Sequence, residues 1–315
     1  MRALSIAEAG AAPVAADLPP PEPGPGDALV QVSRAAINPV DLAIASGRFP
    51  LPVPSPPYVP GAEVVGEVLR SEMLPPGTRV WGIGLTGGCA EVAVVPDDKL
   101  VPVPEGVGDD LAVALGIAGL AGWMPVLDRG ALVPGETVVV LGAGGAVGQV
   151  AVQAARSAGA GRVVAAARSA GGRERALVLG ADAAVATGDG LAEALRAECP
   201  DGADLVIDPL WGASAVAALS CLSPRGRLVQ VGNAESPVAD VAAAALRFGL
   251  LDIRGFSVLV EDPARVRSAY AEIAAAALEG EVAMLVETVP LGEGPAAWAR
   301  QASGAGGIKA AVDPR

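Results

Sequence analysis

The stretch VVVLGAGGAVGQVAVQAARSAGAGRVVAAARSA, from Val138 to Ala170, decides how the second half of the chain folds. A valine-rich run stops at a glycine cluster, the residues after it have the composition of a helix, and a second valine-rich run follows. This order predicts a strand, a tight turn, a helix and a second strand. Repeated, such units form a parallel sheet.

The turn GAGGAVG, Gly142 to Gly148, has the context in which glycines bind a dinucleotide. Glycines let the backbone turn tightly and approach a pyrophosphate, while the first amides of the helix direct their N–H groups towards it. The alternative is a glycine-rich turn that binds nothing. The predicted cofactor-binding residues of the turn are Gly142, Gly144, Gly145, Ala146, Val147 and Gly148.

The residues after the second strand of this stretch indicate whether the dinucleotide is NAD or NADPH. An NAD site has an acidic residue about 20 residues after the turn, but this chain has Arg168 there, followed by Ser169 and Arg173. An arginine can pair with the 2′-phosphate of NADPH, and a charge-assisted hydrogen bond of roughly 1.5–3 kcal/mol gives about 10- to 100-fold preference. NADPH is therefore the predicted cofactor, and the alternative is a solvated arginine at a helix start.

The rest of the chain divides into two patterns. After Thr137, short apolar runs alternate with helix-length segments, which is typical of α/β proteins with a doubly wound parallel sheet. The first hundred residues place short strands between clusters such as LPPPEPGPGD (18–27), which indicates a mostly antiparallel β domain. A helix over Asp262–Leu278 and two strands are expected to return to that domain. The predicted domains are 1–111 with 258–315 for the substrate, and the inserted 112–257 for the dinucleotide.

Composition excludes several partners. The 315 residues carry a net charge of -13, which repels phosphate backbones and anionic lipid surfaces, so neither nucleic acid nor membrane is expected as a partner. The uncharged run Leu111 to Leu127 contains three glycines and a proline, and a membrane span needs about 20 predominantly apolar residues. No secretory signal is recognisable at the start. We expect a soluble, cytoplasmic protein.

The residue inventory also excludes several reactions. The chain has no histidine, which removes hydrolases that depend on a histidine base. Neither lysine, Lys99 or Lys309, lies in a phosphate-binding GK[ST] motif. The three cysteines are far apart and form no CxxC pair. Hydride transfer remains, because the cofactor carries that chemistry and the protein only has to position it.

These residues together resemble the medium-chain dehydrogenase/reductase superfamily, in particular its zinc-free quinone oxidoreductase and enoyl reductase branch. The resemblance covers essentially the whole chain. It implies a Rossmann sheet inserted into a GroES-like catalytic domain, and homodimers that pair through an edge strand near LLDIRGFSV (250–258). Besides the glycine turn, it rests on AAINPVDLAIASGRF (35–49), PYVPGAEVVGEV (57–68), GGCAEVAVVP (87–96), LGAD (179–182) and GRLVQVG (226–232).

Zinc-bearing members of the superfamily have a histidine where this chain has Ala62, next to Glu63. A catalytic zinc needs three protein ligands, and no motif in this sequence provides further ligands beside Glu63. We therefore predict no metal and a structural role for Glu63. Without a Lewis acid an isolated carbonyl is a poor hydride acceptor, whereas a quinone or an enone spreads the developing charge over its conjugated system.

The resemblance implies that Asn38 and Asp41 lie beside the nicotinamide and position the ring or the substrate. An Asn-Pro turn in which Asp41 caps the next helix fits the same letters equally well. The resemblance also implies that a further set of residues flanks the nicotinamide, with ordinary strand-end loops as the alternative. This set is Gly232, Asn233, Phe256 and Ser257.

Tyr58, Trp81 and Trp211 are candidates for the substrate pocket by their positions in the motifs. The alternative is a core position, which is more common for tryptophan in a chain with so few aromatic residues. Several polar pocket residues that family members often have are absent, and no proton donor is identified.

The predicted function is an NADPH-dependent, metal-free reductase that transfers hydride to a quinone or an α,β-unsaturated carbonyl compound. A first alternative is reduction of an enoyl thioester or another tethered biosynthetic intermediate. A second is an NADPH-binding protein without catalysis. The expected partners are a small-molecule substrate and a second copy of the chain.

Overall fold

The computed structural model describes residues 1–304 and 307–315 and divides the chain into two compact units. One comprises Met1–Ala118, Glu261–Leu278 and Met284–Arg315, and the other Gly119–Val260 and Glu279–Ala283. The boundaries between the two units after Ala118 and after Val260 lie close to the predicted domain boundaries, 111/112 and 257/258. The predicted return of the whole tail to the first domain also differs at Glu279–Ala283, because the Gln153 side chain both donates to the Ala283 carbonyl (3.0 Å) and accepts from its amide (2.8 Å).

The second unit contains a six-stranded sheet in which every neighbouring pair is parallel. The expected alternation of strands and helices is confirmed, since a helix follows each of the first five strands. The central strands β8, β9 and β11 are buried apolar runs. The strands are β8 Thr137–Leu141, β9 Arg162–Ala166, β10 Ala183–Val185, β11 Ala203–Asp208, β12 Leu222–Gln230 and β13 Asp252–Gly255. The helices are α3 Leu120–Met124, α4 Ala146–Ser157, α5 Ala170–Val178, α6 Leu191–Glu198, α7 Gly212–Leu219 and α8 Ala243–Gly249.

The strand order of this sheet is β10-β9-β8-β11-β12-β13. The chain runs outward from β8 to one edge and then outward from β11 to the other, so the order reverses between β8 and β11. In doubly wound sheets a dinucleotide binds at this reversal, outside the carboxyl ends of the strands.

One buried cation stabilises the amino ends of the same strands. The guanidinium of Arg227 in β12 donates to both carboxylate oxygens of Glu136 (2.7 and 2.6 Å) and to the carbonyls of Gly130 (2.7 Å), Ala131 (3.1 Å) and Asp204 (3.0 Å). Such a buried charge is tolerated only because its donors have partners.

The first unit contains the mostly antiparallel sheet that the sequence predicted, in the order β14-β15-β3-β4-β5-β7, with β6 also paired to β3 and only β14 and β15 parallel. Strands β1 and β2 form a separate hairpin. The strands are β1 Arg2–Ser5, β2 Val14–Asp17, β3 Asp27–Ile37, β4 Glu63–Arg70, β5 Arg79–Ile83, β6 Val92–Pro96, β7 Leu100–Pro102, β14 Val286–Pro290 and β15 Lys309–Asp313. The helices are α1 Pro39–Ala45, α2 Asp109–Ala114, α9 Pro263–Leu278 and α10 Gly294–Ala302.

The helical stretch Asp109–Arg129, which contains α2 and α3, is long and apolar enough to cross a membrane by length and composition alone. Its most apolar window is 78% buried inside the structure, which is typical of a core helix. The stretch is not continuous, because Gly116 departs from helical geometry (φ -63°, ψ -125°). A Cβ at this position would overlap the indole of Trp81.

Candidate functional site

The glycine turn lies between β8 and α4, at the carboxyl edge of the parallel sheet. Gly142 has φ +60°, a left-handed conformation that favours glycine. Gly145 is the N-cap residue immediately before α4, and no side chain caps the helix. The amides of Ala146 and Val147 therefore stay available at the positive end of the helix dipole, as binding of a pyrophosphate requires.

Gly148 lets the helix pack closely on the turn. A Cβ there would lie 2.6 Å from the Cα of Ala143 and would overlap the carbonyl of Gly142. Two further hydrogen bonds fix the turn. The buried side chain of Gln149 in α4 donates to the carbonyl of Gly144 (3.0 Å). The amide of Ala143 donates to the carbonyl of Ala166 in β9 (3.0 Å). The geometry is preformed for a ligand that approaches the backbone.

The loop between β9 and α5 and the start of α5 lie against the glycine turn, because a Cβ on Gly144 would be 3.6 Å from the Cβ of Ala167 in the loop and 3.2 Å from the Cα of Gly172 in α5. Arg168 in this loop is exposed. The hydroxyl of Ser169 accepts the amide of Gly172 (3.0 Å) and caps α5, which leaves its own proton to donate. Arg173 instead uses its guanidinium on the carbonyls of Ala167 (3.1 Å) and Arg168 (3.0 Å), so it fixes the loop.

The residues predicted to flank the nicotinamide follow β12 and β13 at the same edge of the sheet. The carbonyl of Gly232 accepts the side chain of Gln230 (2.8 Å), and the amide of Phe256 donates to the carbonyl of Gln230 (2.9 Å). Asn233 and Ser257 are exposed, while Phe256 is buried. The structure therefore brings all the predicted cofactor residues to one edge of the second unit.

Asp208, the last residue of β11, is a further candidate at this site that was not predicted from the sequence. Its Oδ1 accepts the amides of Leu210 (2.8 Å) and Trp211 (2.9 Å), while its Oδ2 is buried and has no partner among the described residues. Burial raises the pKa of Asp208 to about 6, against the two backbone hydrogen bonds, which lower it. The signal in the sequence is an acidic residue that ends a buried apolar run, DLVID.

The raised pKa of Asp208 predicts a pH dependence of stability. The folded state binds this proton more tightly than the unfolded state, whose carboxyl has a pKa near 3.8, so the free energy of unfolding decreases as the pH rises from about 4 to about 6. We expect Asp208→Asn to remove up to about 1.4 kcal/mol per pH unit of this slope. Denaturant unfolding of both proteins between pH 4 and 8 measures it, and equal slopes would contradict the assignment.

In the first unit, Asp41 is the third residue of α1 and is buried. Its two carboxylate oxygens accept the amides of Asn38 (2.7 Å) and Ala62 (2.7 Å). Burial raises the pKa of Asp41 to about 7 even though both hydrogen bonds lower it. The carboxylate thus holds the backbone at the start of α1 and β4, which is the capping role that the sequence left open.

Asn38 belongs to a buried polar cluster around Glu63. The Oε1 of Glu63 accepts from Asn38 Nδ2 (2.9 Å) and Lys309 Nζ (2.6 Å), and its Oε2 accepts from Trp81 Nε1 (2.9 Å) and the amide of Ile117 (2.7 Å). Lys309 also donates to Asn38 Oδ1. Four donors occupy the carboxylate of Glu63, which is the structural role predicted for it. Nothing in the sequence alone identifies Lys309 as its partner.

A zinc ion does not fit these residues. The ammonium of Lys309 already lies against Glu63, Ala62 provides no ligand, and the described residues contain no group of three side chains that could hold a metal. Cys89, Cys199 and Cys221 are all buried free thiols.

The three predicted pocket residues differ in their surroundings. Trp81 has no exposed surface and stacks on Tyr270, with ring centroids 5.0 Å apart and planes 9° apart, so it is a core residue. Tyr58 is partly buried, and its hydroxyl has no partner in the described part of the chain. Trp211 is partly exposed in the loop after β11.

Comparisons with known proteins match both units. Residues 24–105 match the family model of the alcohol dehydrogenase GroES-like domain, and residues 146–275 match that of the zinc-binding dehydrogenases. A quinone oxidoreductase of Mus musculus is 30% identical over 74% of this chain and 73% of its own length. The spectinabilin polyketide synthase system protein NorB of Streptomyces orinoci is 30% identical over 87% of this chain but only 12% of its own length.

Among solved structures, the quinone oxidoreductase of Thermus thermophilus, determined also as its complex with NADPH, is 31% identical with a TM-score of 0.85. The match covers 99% of this chain and 100% of that one. The first curated relatives are longer, and the matches cover about three fifths of their length.

Proposed function

We propose a function for this chain on the premise that it belongs to the quinone oxidoreductase branch of the medium-chain dehydrogenase/reductase superfamily. The proposed reaction is NADPH-dependent reduction of a quinone or an α,β-unsaturated carbonyl compound. The observation that carries it is the uncapped start of α4 on a glycine turn, in contact with the loop that holds the exposed Arg168. The complex of the Thermus thermophilus relative with NADPH supports the choice of dinucleotide.

In this proposal NADPH supplies the hydride, and the chain binds and orients it. The amides at the start of α4 bind the pyrophosphate, and Arg168 with Ser169 binds the 2′-phosphate. The loops after β12 and β13 position the nicotinamide with Gly232, Asn233, Phe256 and Ser257. Asn38 and Asp41 contribute by fixing the backbone before and within α1.

The proposed reaction uses no metal, because the donors that zinc needs are absent around Glu63 and Lys309 neutralises its carboxylate. An isolated ketone would then react without polarisation of its carbonyl. A quinone or an enone avoids this difficulty, since conjugation carries the developing negative charge to an oxygen that water can protonate.

The test is NADPH oxidation by the purified protein with a panel of quinones, enones and simple ketones, before and after treatment with a chelator. We expect turnover of conjugated acceptors, little turnover of simple ketones and no effect of the chelator. Loss of activity on chelation would contradict the metal-free reaction. Tight NADPH binding without turnover of any acceptor would favour a binding protein without catalysis.

Arg168→Ala tests the choice between NADPH and NADH. Loss of the guanidinium removes a charge-assisted hydrogen bond to the 2′-phosphate, so we expect the NADPH affinity to decrease about 10- to 100-fold. NADH lacks this phosphate, and its affinity should stay within about threefold, which makes it the internal control. Fluorescence titrations give both values, and a parallel loss for both dinucleotides would contradict the assignment.

An enoyl thioester or another tethered intermediate is the second candidate substrate, favoured by the match to part of a polyketide synthase system protein. The same hydride transfer applies, because a thioester conjugated to an alkene is also a conjugated acceptor. A much higher kcat/KM for an enoyl thioester than for the free enone of the same chain length would select this candidate.

We also propose a homodimer in the cytoplasm that pairs through β13, the edge strand of the parallel sheet. The segment around it exposes Phe248 (80%), Leu250 (55%) and Val260 (69%), and no residue of α8 is buried. Exposed apolar edges favour pairing with another strand. Light scattering should give the mass of a dimer, and a monomer at working concentration would end this part of the proposal.

A further inference from the structure

Trp211 has a backbone conformation that is otherwise almost confined to glycine. Its φ is 59° and its ψ is -160°, where the Cβ of an L-residue is crowded by its own backbone. The next residue, Gly212, also has a positive φ, of 65°. A large aromatic residue persists in such a conformation only where its surroundings fix it, and such strain is concentrated at functional sites.

Two carboxylates fix this loop. Asp208 accepts the amide of Trp211 itself (2.9 Å). Glu235, from the loop after β12, accepts the amides of Ala213 (3.1 Å) and Ser214 (3.3 Å) at the start of α7. The strained residue is thus held by side-chain acceptors on both sides.

The loop lies where the dinucleotide is expected. A Cβ on Gly142, in the glycine turn, would be 3.0 Å from the ring of Pro209 and 3.1 Å from the side chain of Leu210. On the other side, a Cβ on Gly232 would be 3.0 Å from the carbonyl of Pro209. Pro209 and Leu210, the two residues before Trp211, therefore form a wall at the reversal of strand order between β8 and β11.

A second, independent observation is the free oxygen of Asp208. The residue has no exposed surface, and its Oδ2 has no partner among the described residues. Buried polar atoms are nearly always hydrogen-bonded, and the exceptions need a reason. A strained aromatic residue and an unsatisfied carboxylate in one loop both cost stability, which indicates that the loop is maintained for something other than folding.

We infer that Trp211 is a positioning residue for the dinucleotide, and not a wall of the substrate pocket as its place in the sequence suggested. Its indole packs, partly buried, against the hydrophobic core of the parallel sheet. This anchor and the strained backbone hold Pro209 and Leu210 against the glycine turn. This inference rests on the proposed function, because it assumes that NADPH binds at the carboxyl ends of the parallel strands.

The test compares Trp211→Gly, Trp211→Ala and Trp211→Phe. Glycine removes the strain and the indole, alanine removes only the indole, and phenylalanine keeps an aromatic face. Alanine is normally the more stable of the two small residues, so a higher melting temperature for Trp211→Gly than for Trp211→Ala reports the strain. We expect NADPH to bind about tenfold more weakly to both small variants and within about threefold of wild type to Trp211→Phe.

The outcomes separate the two proposals. If the wild type binds NADPH and both small variants bind it equally well, the inference is overturned while the proposed function stands. An increase in KM for the acceptor with unchanged NADPH affinity would also overturn it, since that result places Trp211 at the substrate. If Trp211→Ala is more stable than Trp211→Gly, the backbone is not strained and the inference is overturned. Failure of the wild type to bind NADPH overturns the proposed function itself.

Discussion

Gly145→Asp should fold at least as well as the wild type and lose NADPH binding. Gly145, the N-cap residue before α4, has φ -85° and ψ 164°, a conformation open to any residue, and a Cβ there meets nothing closer than 3.4 Å. Aspartate is among the preferred residues at a helix start. Its carboxylate would, however, occupy the place proposed for the pyrophosphate. Like charges in contact cost several kcal/mol, so we expect affinity to fall about 100-fold or more.

Gly145→Ser is the matched control, because serine also caps a helix but carries no charge. It should keep the NADPH affinity within about tenfold of the wild type, since the loss attributed to aspartate comes from several kcal/mol of like-charge repulsion. Isothermal titration gives the affinities and thermal unfolding the stabilities. Binding of NADPH to Gly145→Asp with unchanged affinity would place the pyrophosphate elsewhere.

Lys309→Met should strongly destabilise the first unit. Lys309 is 3% exposed, Glu63 is not exposed at all, and their side chains are 2.6 Å apart. Removal of the ammonium leaves a buried carboxylate whose remaining partners are neutral donors. Breaking a buried ion pair in this way typically costs about 3–5 kcal/mol. Chemical unfolding followed by circular dichroism measures the loss.

The double variant Glu63→Gln with Lys309→Met separates charge from packing. The amide carries no charge to leave uncompensated, so we expect the double variant to recover a large part of the lost free energy of unfolding. Lys99→Met, at the only other lysine, is the control for loss of a positive charge at a more exposed position and should change stability by less than about 1 kcal/mol. A loss below about 1 kcal/mol for Lys309→Met would show that the pair contributes little.

The parallel sheet and its glycine turn were predictable because the information is local. The run from Val138 to Ala170 contains a strand, a turn, a helix and a strand in sequence, and the structure has β8, α4 and β9 in those places. The carboxyl ends of parallel strands meet at one edge, so residues after different strands could be grouped without knowing their contacts. The helix α9 begins one residue after the predicted start and ends where predicted.

The polar cluster around Glu63 was not predictable in the same way. Lys309 is 246 positions away in sequence, and only the pairing of β15 with β3 and of β3 with β4 brings the two residues together. Nothing in the letters GIKAAV distinguishes a buried lysine from a solvated one. The association of Asp208 with Trp211 was not predictable for another reason. The strained backbone of Trp211 and the unpaired oxygen of Asp208 are visible only in the folded structure.

The most direct test is a fluorescence titration of the wild-type protein with NADPH and NADH side by side. The glycine turn and Arg168 predict that both dinucleotides bind and that NADPH binds at least about tenfold more tightly. Tighter binding of NADH would contradict the role given to Arg168. Binding of neither would contradict the dinucleotide site, and with it the reductase.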